Sequence, residues 1–222
     1  MKLNVDLSTL SAQERITWSF EHLPENHVLS SSFGVQAAVT LHLTTQVHPD
    51  VDIIFIDTGY HFPETYQFVD ELTDALKLNL HVFKNPVSPA WQEARHGQRW
   101  LDGLPGIEKY NQDNKLTPMQ EALREIRART WITGIRRTQS NSRKDTAFLS
   151  EQRGVYKLSP IADWSDRDVH EYLVKYNLPY HPLREKGYVS IGDVHSTKSL
   201  SEVDHIDETR FFGLKRECGL HD

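Results

Sequence analysis

The sequence contains a single cysteine, Cys218, among its 222 residues. Neither an intrachain disulfide nor an iron–sulfur or zinc site made of several thiolates of one chain can form from one cysteine. The twelve histidines show no compact ligand spacing such as His-Glu-x-x-His. We therefore predict that the chain binds no metal.

Long apolar runs and an excess of positive charge are also missing. No run approaches the roughly 20 apolar residues that a membrane span needs. Residues 1–10 lack the basic start and apolar core of a signal peptide. We therefore predict a cytoplasmic protein with no membrane partner. The net charge of −6 differs from the basic balance of most nucleic-acid-binding proteins, so no nucleic-acid partner is expected.

Strand and helix patterns alternate along most of the chain. Apolar runs predict buried strands, and apolar residues at helical spacing predict amphipathic helices. The predicted strands are 27–31, 51–57, 79–84, 131–135 and 155–158, and the predicted helices begin near Ser11, Val35, Pro63, Thr117 and Ser165. Such alternation is typical of an α/β fold, here a doubly wound, mostly parallel sheet.

Two stretches depart from this alternation. Residues 85–116 are rich in proline and glycine and are expected to be irregular. After Gly192 the periodicity fades, so we predict an α/β domain over 1–197 and a polar, mobile C-terminal tail over 198–222. The 20 residues from Lys198 to Cys218 could span roughly 25 Å if flexible.

Three segments follow predicted strands at the sheet edge where ligands of such folds bind. Their residues are Ser30-Ser-Ser-Phe-Gly34, Asp57-Thr-Gly-Tyr60 and Gly134-Ile-Arg-Arg-Thr-Gln-Ser140, the last followed by Arg143. Hydroxyls and backbone N–H groups at a helix start can hold phosphate, and guanidinium groups bind phosphate or sulfate oxygens. Each segment alone could be a helix cap, a tight turn or a solvated charged loop. Their convergence favours a nucleotide site.

Cys218 lies near the chain end, beside Lys215, Arg216 and His221. A lone cysteine is often only a small buried apolar residue. Neighbouring cations, however, stabilise a thiolate and lower the thiol pKa. Glu217 opposes this effect in part. We therefore favour a functional thiol, carried by the tail.

Taken in order, these motifs resemble the phosphoadenylyl-sulfate (PAPS) reductases of assimilatory sulfate reduction. The matching segments are Ser30–Gly34, Asp57–Thr65, Gly134–Ser140, Pro160–Trp164 and Glu217–His221. The resemblance implies an adenine nucleotide alpha-hydrolase-like fold, with Ser30 to Gln36 as a modified pyrophosphatase loop. That loop lacks the acid and the second glycine of ATP-cleaving relatives, which disfavours ATP pyrophosphorolysis.

The resemblance also bears on cofactor and substrate. Family members that reduce adenylyl sulfate (APS) hold a four-iron cluster with two cysteine pairs. The matching positions here are Tyr110, Asn111, Asp193 and Ser196. Because all four ligands are missing, no cluster is expected, and the family correlation then makes PAPS the expected substrate.

A mechanism follows from the resemblance and from thiol chemistry. Cys218 is expected to take the sulfonate of PAPS, and a thioredoxin or glutaredoxin is expected to release it as sulfite. His221 could orient or activate the thiol. Phosphosulfate contacts are assigned to Ser30, Ser31, Ser32, Gly34 and Gln36, nucleoside contacts to Thr58, and charge neutralisation to Lys115, Arg136, Arg137, Arg143 and Arg210. The resemblance further implies a homodimer, and Arg210–Gly213 is expected to act as a latch for the tail.

Three other readings remain open. A cluster-free APS reductase would use the same residues on a smaller substrate. An ATP pyrophosphatase would need the loop acid that is missing and would have no use for Cys218. A non-catalytic nucleotide sensor would use Cys218 as a redox switch and would release no sulfite.

Overall fold

The computed structural model describes residues 5–215 and 219–220, which form an α/β fold. Over these ranges, seven α-helices surround one six-stranded sheet. The strands are β1 (His27–Ser30), β2 (Asp52–Ile56), β3 (Asn79–Phe83), β4 (Thr130–Thr133), β5 (Leu149–Gln152) and β6 (Val155–Leu158). The helices are α1 (Ala12–His22), α2 (Ala37–Val47), α3 (Pro63–Leu76), α4 (Pro89–His96), α5 (Gly103–Asn111), α6 (Thr117–Glu125) and α7 (Asp166–Lys175). None of these helices combines the length and apolarity of a membrane span.

The strand order is β3-β2-β1-β4-β6-β5, and only β5 runs antiparallel to its neighbour. Val28 in β1 lies between Asp52 of β2 and Trp131 of β4. The chain first winds outward from β1 to β3 and then returns to place β4 on the other side of β1. This reversal creates a crevice at the carboxyl ends of β1 and β4, the usual ligand site of a doubly wound sheet.

Successive apolar residues of the central strands pack on opposite faces of the sheet. Leu29, Ile53 and Ile132 belong to the core under α1, α2, α3 and α7, whereas their neighbours pack with α6. Those neighbours are Val28, Ile54 and Trp131. The period of two in a strand explains why each run is apolar throughout. Both faces are covered, so the sheet is a rigid base for the loops at its edge.

Local sequence signals set most element boundaries. Ser11 caps α1, and the Glu14 carboxylate accepts from the Ser11 backbone N–H, so a capping box sets the helix start predicted near Ser11. Pro63 begins α3 as predicted. The expectation of an irregular stretch over 85–116 is wrong, because α4, α5 and a π-helical turn over 112–116 lie there. Pro89 stands in the first turn of α4 and Gly97 ends it, so these residues mark helix boundaries rather than a loop. Strand β5 was not predicted.

The described part of the polar tail is attached to the body. The Lys198 N–H donates to the Thr209 carbonyl at 3.0 Å, and Thr197 pairs with Arg210 in an antiparallel bridge. The ring of Phe211 is 1% exposed and packs with Trp100, an interaction that agrees with the predicted latch. Residues 198–213 of the predicted tail make contacts with the body, and the mobility of the tail stays a prediction. The division at residue 197 stays a prediction.

Candidate functional site

A cavity of about 840 Å³ opens at the carboxyl ends of the central strands. Eleven of the predicted site residues lie in the described ranges, and ten of them line this cavity. The ten are Ser30, Ser31, Ser32, Gly34, Gln36, Thr58, Lys115, Arg136, Arg143 and Arg210. They come from five separate chain segments, so the fold brings into one cavity the residues that the sequence motifs predicted to converge.

The segment from Ser30 to Gln36 forms a cradle of backbone N–H groups. It is anchored below the cavity by Phe33, which is fully buried with φ of 48° and packs edge-on against Phe55. Among the described residues, none accepts from the backbone N–H of Ser32, Gly34 or Val35. Consecutive unpaired N–H groups before a helix are a ready anion site. Gly34 adds room for close approach.

The second motif forms a turn that follows β2. Asp57 orders this turn, because its Oδ1 accepts from the Gly59 N–H at 2.8 Å and from the Tyr66 hydroxyl at 2.7 Å. Asp57 therefore shapes the turn rather than contacting an anion. The neighbouring Thr58 hydroxyl points to the cavity wall and donates to Asp193 Oδ1 at 2.6 Å. A hydroxyl predicted to meet the nucleoside is thus engaged with a buried carboxylate.

Lys115 stands in the π-helical turn and forms an ion pair with the same carboxylate. Its Nζ lies 2.6 Å from Asp193 Oδ2, and the two side chains are 10% and 0% exposed. Burial alone would raise the pKa of Asp193, but the charges of Lys115, His61 and His195 and the hydrogen bond from Lys115 together outweigh it, so the pKa lies well below its usual range. The ammonium also lies 5.2 Å from the centre of the Phe211 ring. π-Helical turns are frequent at functional sites.

Arg136 is almost completely buried and makes four hydrogen bonds. One terminal nitrogen donates to Gln36 Oε1 at 2.5 Å and to Asp166 Oδ1 at 2.8 Å. The other donates to Thr138 Oγ1 and to the Trp164 carbonyl. Arg136 therefore ties the third motif to the first and fixes Gln36 at the cavity. Its positive charge still faces the cavity wall.

The two arginines that follow Arg136 differ in position. Arg143 lines the cavity and bonds to Gln139 Oε1. Arg137 lies outside the lining: its Nε donates to the Thr146 carbonyl, and its guanidinium lies 4.7 Å from the Phe148 ring centre. Arg136 has extended backbone angles, which send adjacent side chains in opposite directions. Only one of the adjacent arginines can therefore reach the cavity, and the structure does not place Arg137 there.

Arg210 reaches the cavity across the backbone of the loop that precedes the tail. Its Nη1 donates to Ser190 Oγ at 3.0 Å and to the Ile191 carbonyl at 3.4 Å. A Cβ on Gly192 would lie 2.3 Å from the other terminal nitrogen of this guanidinium. Only glycine leaves room for Arg210 in this position.

The predicted catalytic residues Cys218 and His221 lie outside the described residues. The two residues that follow Cys218 directly are described. The Leu220 side chain lines the cavity, and the Gly219 carbonyl accepts from an Arg153 terminal nitrogen at 3.5 Å. The chain that carries the cysteine therefore continues into a residue of the cavity wall.

Sequence reasoning missed one wall of the cavity. Residues 184–185 and 187–193 line it, with His61, His170 and Tyr180. Arg184 lies 3.6 Å from the Tyr180 ring centre at the rim. Gly187 and Gly192 marked a turn-rich segment, but nothing local showed that it faces the other motifs. Asp193 was noted only as a missing cluster ligand.

The donor set does not suit a thiolate-bound cluster. The four positions that match cluster ligands carry no thiol, and each is at most 3% exposed. They are Tyr110, Asn111, Asp193 and Ser196. Asp193 is paired with Lys115, so this position is filled by an ion pair. Within the described residues, no group of three or more His, Cys, Asp or Glu side chains is arranged to hold a metal ion.

Known proteins match the chain over nearly its whole length. The model of the phosphoadenosine phosphosulfate reductase domain matches residues 26–199. A phosphoadenosine 5'-phosphosulfate reductase from Salmonella choleraesuis is 58% identical over 221 residues, which cover 100% of this chain and 91% of that relative. A protein of the same name from Proteus mirabilis is 55% identical with the same coverage.

Solved structures agree with these sequence matches. The phosphoadenylyl-sulfate (PAPS) reductase from Candida auris, a phosphate complex, superposes with a TM-score of 0.76 and 31% identity, covering 86% of this chain and 92% of that one. An FMN adenylyltransferase from Candida glabrata, at 15% identity and a TM-score of 0.63 over 86% and 66% of the two chains, shares the fold alone. The family model and the relatives together place the chain in the phosphoadenosine phosphosulfate reductase family.

Proposed function

We propose that this protein reduces PAPS to sulfite and adenosine 3′,5′-bisphosphate, using Cys218 as the nucleophile. Membership of the reductase family makes the chain an oxidoreductase of sulfate assimilation. The observation that carries the residue assignment is the shared cavity: ten predicted residues from five segments line it together with Leu220, two residues after Cys218. Such a concave site with converging polar groups is the usual form of a small-molecule site.

The first step is a group transfer to sulfur. The Cys218 thiolate attacks the sulfonate sulfur of PAPS, a sulfur–sulfur bond forms, and the bond from that sulfur to the phosphate oxygen breaks. The electron pair leaves on the phosphate oxygen of adenosine 3′,5′-bisphosphate. Cys218 then carries a thiosulfonate group. No oxidant or metal is needed, because one thiol accepts the whole sulfonate.

A partner dithiol supplies the two electrons in the second step. One thiolate of a reduced thioredoxin or glutaredoxin attacks Cys218 Sγ, releases sulfite and forms a mixed disulfide. The second partner thiol attacks the partner sulfur, so the partner leaves as a disulfide and Cys218 returns as a thiolate. One cysteine in this chain suffices for the cycle.

Substrate binding is assigned to the two kinds of group that line the cavity. The unpaired N–H groups of Ser32, Gly34 and Val35 supply donors to the phosphosulfate oxygens. Lys115, Arg143 and Arg210 supply positive charge where a thiolate must approach an already anionic group. Removing one such donor typically costs about 2.7–4 kcal/mol of transition-state stabilisation. Arg136 acts mainly through Gln36.

The proposal includes a cluster-free enzyme that works in the cytoplasm and as a homodimer, as the resemblance implies. The single cysteine supports the first point, because four thiolates are needed for a four-iron cluster. PAPS is preferred over APS on the family correlation. The alternative, an APS reductase, would require this protein to turn over APS without an iron–sulfur cluster.

Steady-state sulfite release tests the function. The purified chain is supplied with PAPS or APS, thioredoxin, thioredoxin reductase and NADPH. We expect sulfite from PAPS and at least tenfold less from APS at equal concentration. Equal turnover of both would favour the APS reductase reading. Tight nucleotide binding without any sulfite would instead support the redox sensor.

A further inference from the structure

The buried carboxylate of Asp193 joins three segments at the base of the cavity. Its Oδ1 accepts from the Thr58 hydroxyl, and its Oδ2 pairs with the Lys115 ammonium. Its backbone pairs with His61 in an antiparallel bridge, and the next N–H, from Val194, donates to the Tyr60 carbonyl at 2.8 Å. The turn after β2, the π-helical turn and the 190–197 loop therefore meet at one side chain.

Lys115 has a geometry that a solvent-exposed lysine would not keep. A lysine side chain has four rotatable bonds and loses about 2 kcal/mol of rotamer freedom when fixed. Here its ammonium is held between one carboxylate and the rings of Tyr110 and Phe211, at 5.5 and 5.2 Å from their centres. Because Asp193 is the ionised partner in this enclosure, it fixes where the ammonium lies.

We propose that Asp193 is a positioning residue that holds the Lys115 ammonium, charged and correctly placed, at the cavity wall. The inference rests on the proposed function, since it assumes that Lys115 faces the bound phosphosulfate. Asp193 does not touch the substrate. It acts by keeping Lys115 in one place and by stabilising its protonated form in a buried setting.

The surroundings of Asp193 define what a pH experiment reports. The groups that face it are Lys115, His61, His195, Tyr60 and Tyr110. Burial lowers the pKa of His195 to about 4, so this imidazole is neutral near pH 7. Burial likewise raises the pKa of both tyrosines well above their usual range. Lys115 is the neighbour whose ammonium contacts the Asp193 carboxylate directly, at 2.6 Å.

A double-mutant cycle separates positioning from simple stabilisation. Asp193→Asn should lower kcat/KM for PAPS about 10²-fold, the size expected when a catalytic group is misplaced by about 1 Å. In a Lys115→Met background, Asp193→Asn should cause no further loss, and it should raise stability because no charge stays buried alone. Equal losses in both backgrounds, or a loss below threefold in the wild-type background, would overturn the proposal.

The pH profile gives a readout that a merely structural role would not move. A buried ammonium without its counter-charge loses its proton at lower pH. The alkaline limb of the kcat/KM profile should therefore shift to lower pH in Asp193→Asn. The Lys115→Met variant and the Lys115→Met, Asp193→Asn double variant should show the same profile as each other. An unchanged limb in Asp193→Asn contradicts the account.

Asp113→Asn is the matched control. Asp113 lies in the same π-helical turn and is paired with Arg99 at 2.6 Å, but it does not line the cavity. This variant should keep kcat/KM within about twofold.

If Asp193→Asn does not fold, the proposal is tested by the binding of adenosine 3′,5′-bisphosphate to Lys115→Met and to the Lys115→Met, Asp193→Asn double variant. Weaker binding by the double variant overturns the proposal. A wild-type chain that releases no sulfite from PAPS ends the proposed function instead, and the cycle is then read from nucleotide binding and unfolding.

Discussion

Two walls of the cavity are built by different means. The motif wall consists of the lining residues within the segments 30–36, 57–60 and 134–143, which lie at the ends of β1, β2 and β4. The packing wall consists of the lining residues Lys115, Ser190–Asp193 and Arg210, together with the residues of 110–116, 190–197 and 209–211 that pack around them; these segments are helical turns and irregular chain. The motif wall offers backbone N–H groups and hydroxyls on a rigid sheet edge. The packing wall offers cations held by buried partners that are distant in sequence.

This difference shows which part of the chain supplies each kind of ligand contact: the backbone on the motif wall and side-chain cations on the packing wall. In the Ser30–Gln36 part of the motif wall, the backbone makes the donors, so a single side chain such as that of Ser32 matters little. On the packing wall, the cations are held by specific neighbours: Lys115 by the Asp193 carboxylate, and Arg210 by Ser190, the Ile191 carbonyl and the space that Gly192 leaves. We therefore expect single substitutions to be far more damaging on the packing wall. The predictions below run from the largest expected effect to the smallest.

Arg210 and Gly192 give the sharpest test of the packing wall. Arg210→Ala should lower kcat/KM about 10²–10³-fold, as for loss of one preorganised charged donor. Gly192→Ala should lower it at least about tenfold, because the new Cβ would displace the guanidinium. In an Arg210→Ala background the glycine change should be nearly silent, as coupled neighbours are not additive. Additive losses would mean that Gly192 acts without Arg210.

Phe211 should set the stability of the packing wall. Phe211→Ala removes a ring that is 1% exposed and packed with Trp100, Ile107 and Tyr110, so we expect a loss of about 3 kcal/mol in the free energy of unfolding. The adjacent Phe212 is 39% exposed and serves as the control. Phe212→Ala should change stability by less than about 1 kcal/mol. Chemical denaturation of both variants checks the contrast, and equal losses would contradict it.

The motif wall should weaken in acid because of His181. This buried imidazole bonds to Thr65 Oγ1, and its backbone N–H donates to the Val35 carbonyl at the end of the cradle. Burial lowers its pKa from 6.5 to about 4. The unfolded chain therefore binds more protons between pH 6.5 and 4, so the contribution is complete above pH 6.5 and is lost as pH falls.

His181 alone should contribute about 2 kcal/mol to the loss in the free energy of unfolding between pH 7 and 5, from 1.36 kcal/mol per pKa unit, beside the contributions of other buried imidazoles such as His195. Urea unfolding at the two pH values measures it. A His181→Asn variant should be less stable at pH 7 but should show a shallower pH dependence. A variant with the wild-type slope would assign the acid sensitivity to other groups.

Ser32 should show the smallest effect. Its side chain is exposed and the proposed anion contacts come from backbone N–H groups, so Ser32→Ala should change kcat/KM by less than about fivefold. Ser32→Pro removes the N–H itself and should be much worse. If alanine were as damaging as proline, the hydroxyl rather than the backbone would carry the motif wall.

The predictability of the fold from sequence follows the same division. Local signals set the capping box at Ser11, the start of α3 at Pro63 and the apolar run around Ile53 and Ile54, because each depends on neighbouring residues. The motif wall was predicted for the same reason. The helices within 85–116 were missed because Pro89 and Gly97 were interpreted as loop residues, although they stand at a helix start and end.

The packing wall could not be predicted from local pattern. Lys115 and Asp193 are 78 positions apart, and no periodicity links them. Arg137 looks as suitable as Arg136, yet extended backbone directs it away from the cavity to the Phe148 ring. Only the tertiary arrangement decides which cation faces the ligand. The resemblance to a family located Lys115 and Arg210, but not the groups that hold them.

The intact mass of the protein after incubation with PAPS, without any reductant, tests the whole account most directly. If the cavity delivers its ligand to the one thiol, the mass should increase by a single SO₃ group, and the added group should vanish on addition of reduced thioredoxin. The Cys218→Ser chain should bind nucleotide but gain no mass. An unmodified wild-type protein, or the same gain in the serine variant, would contradict transfer to Cys218.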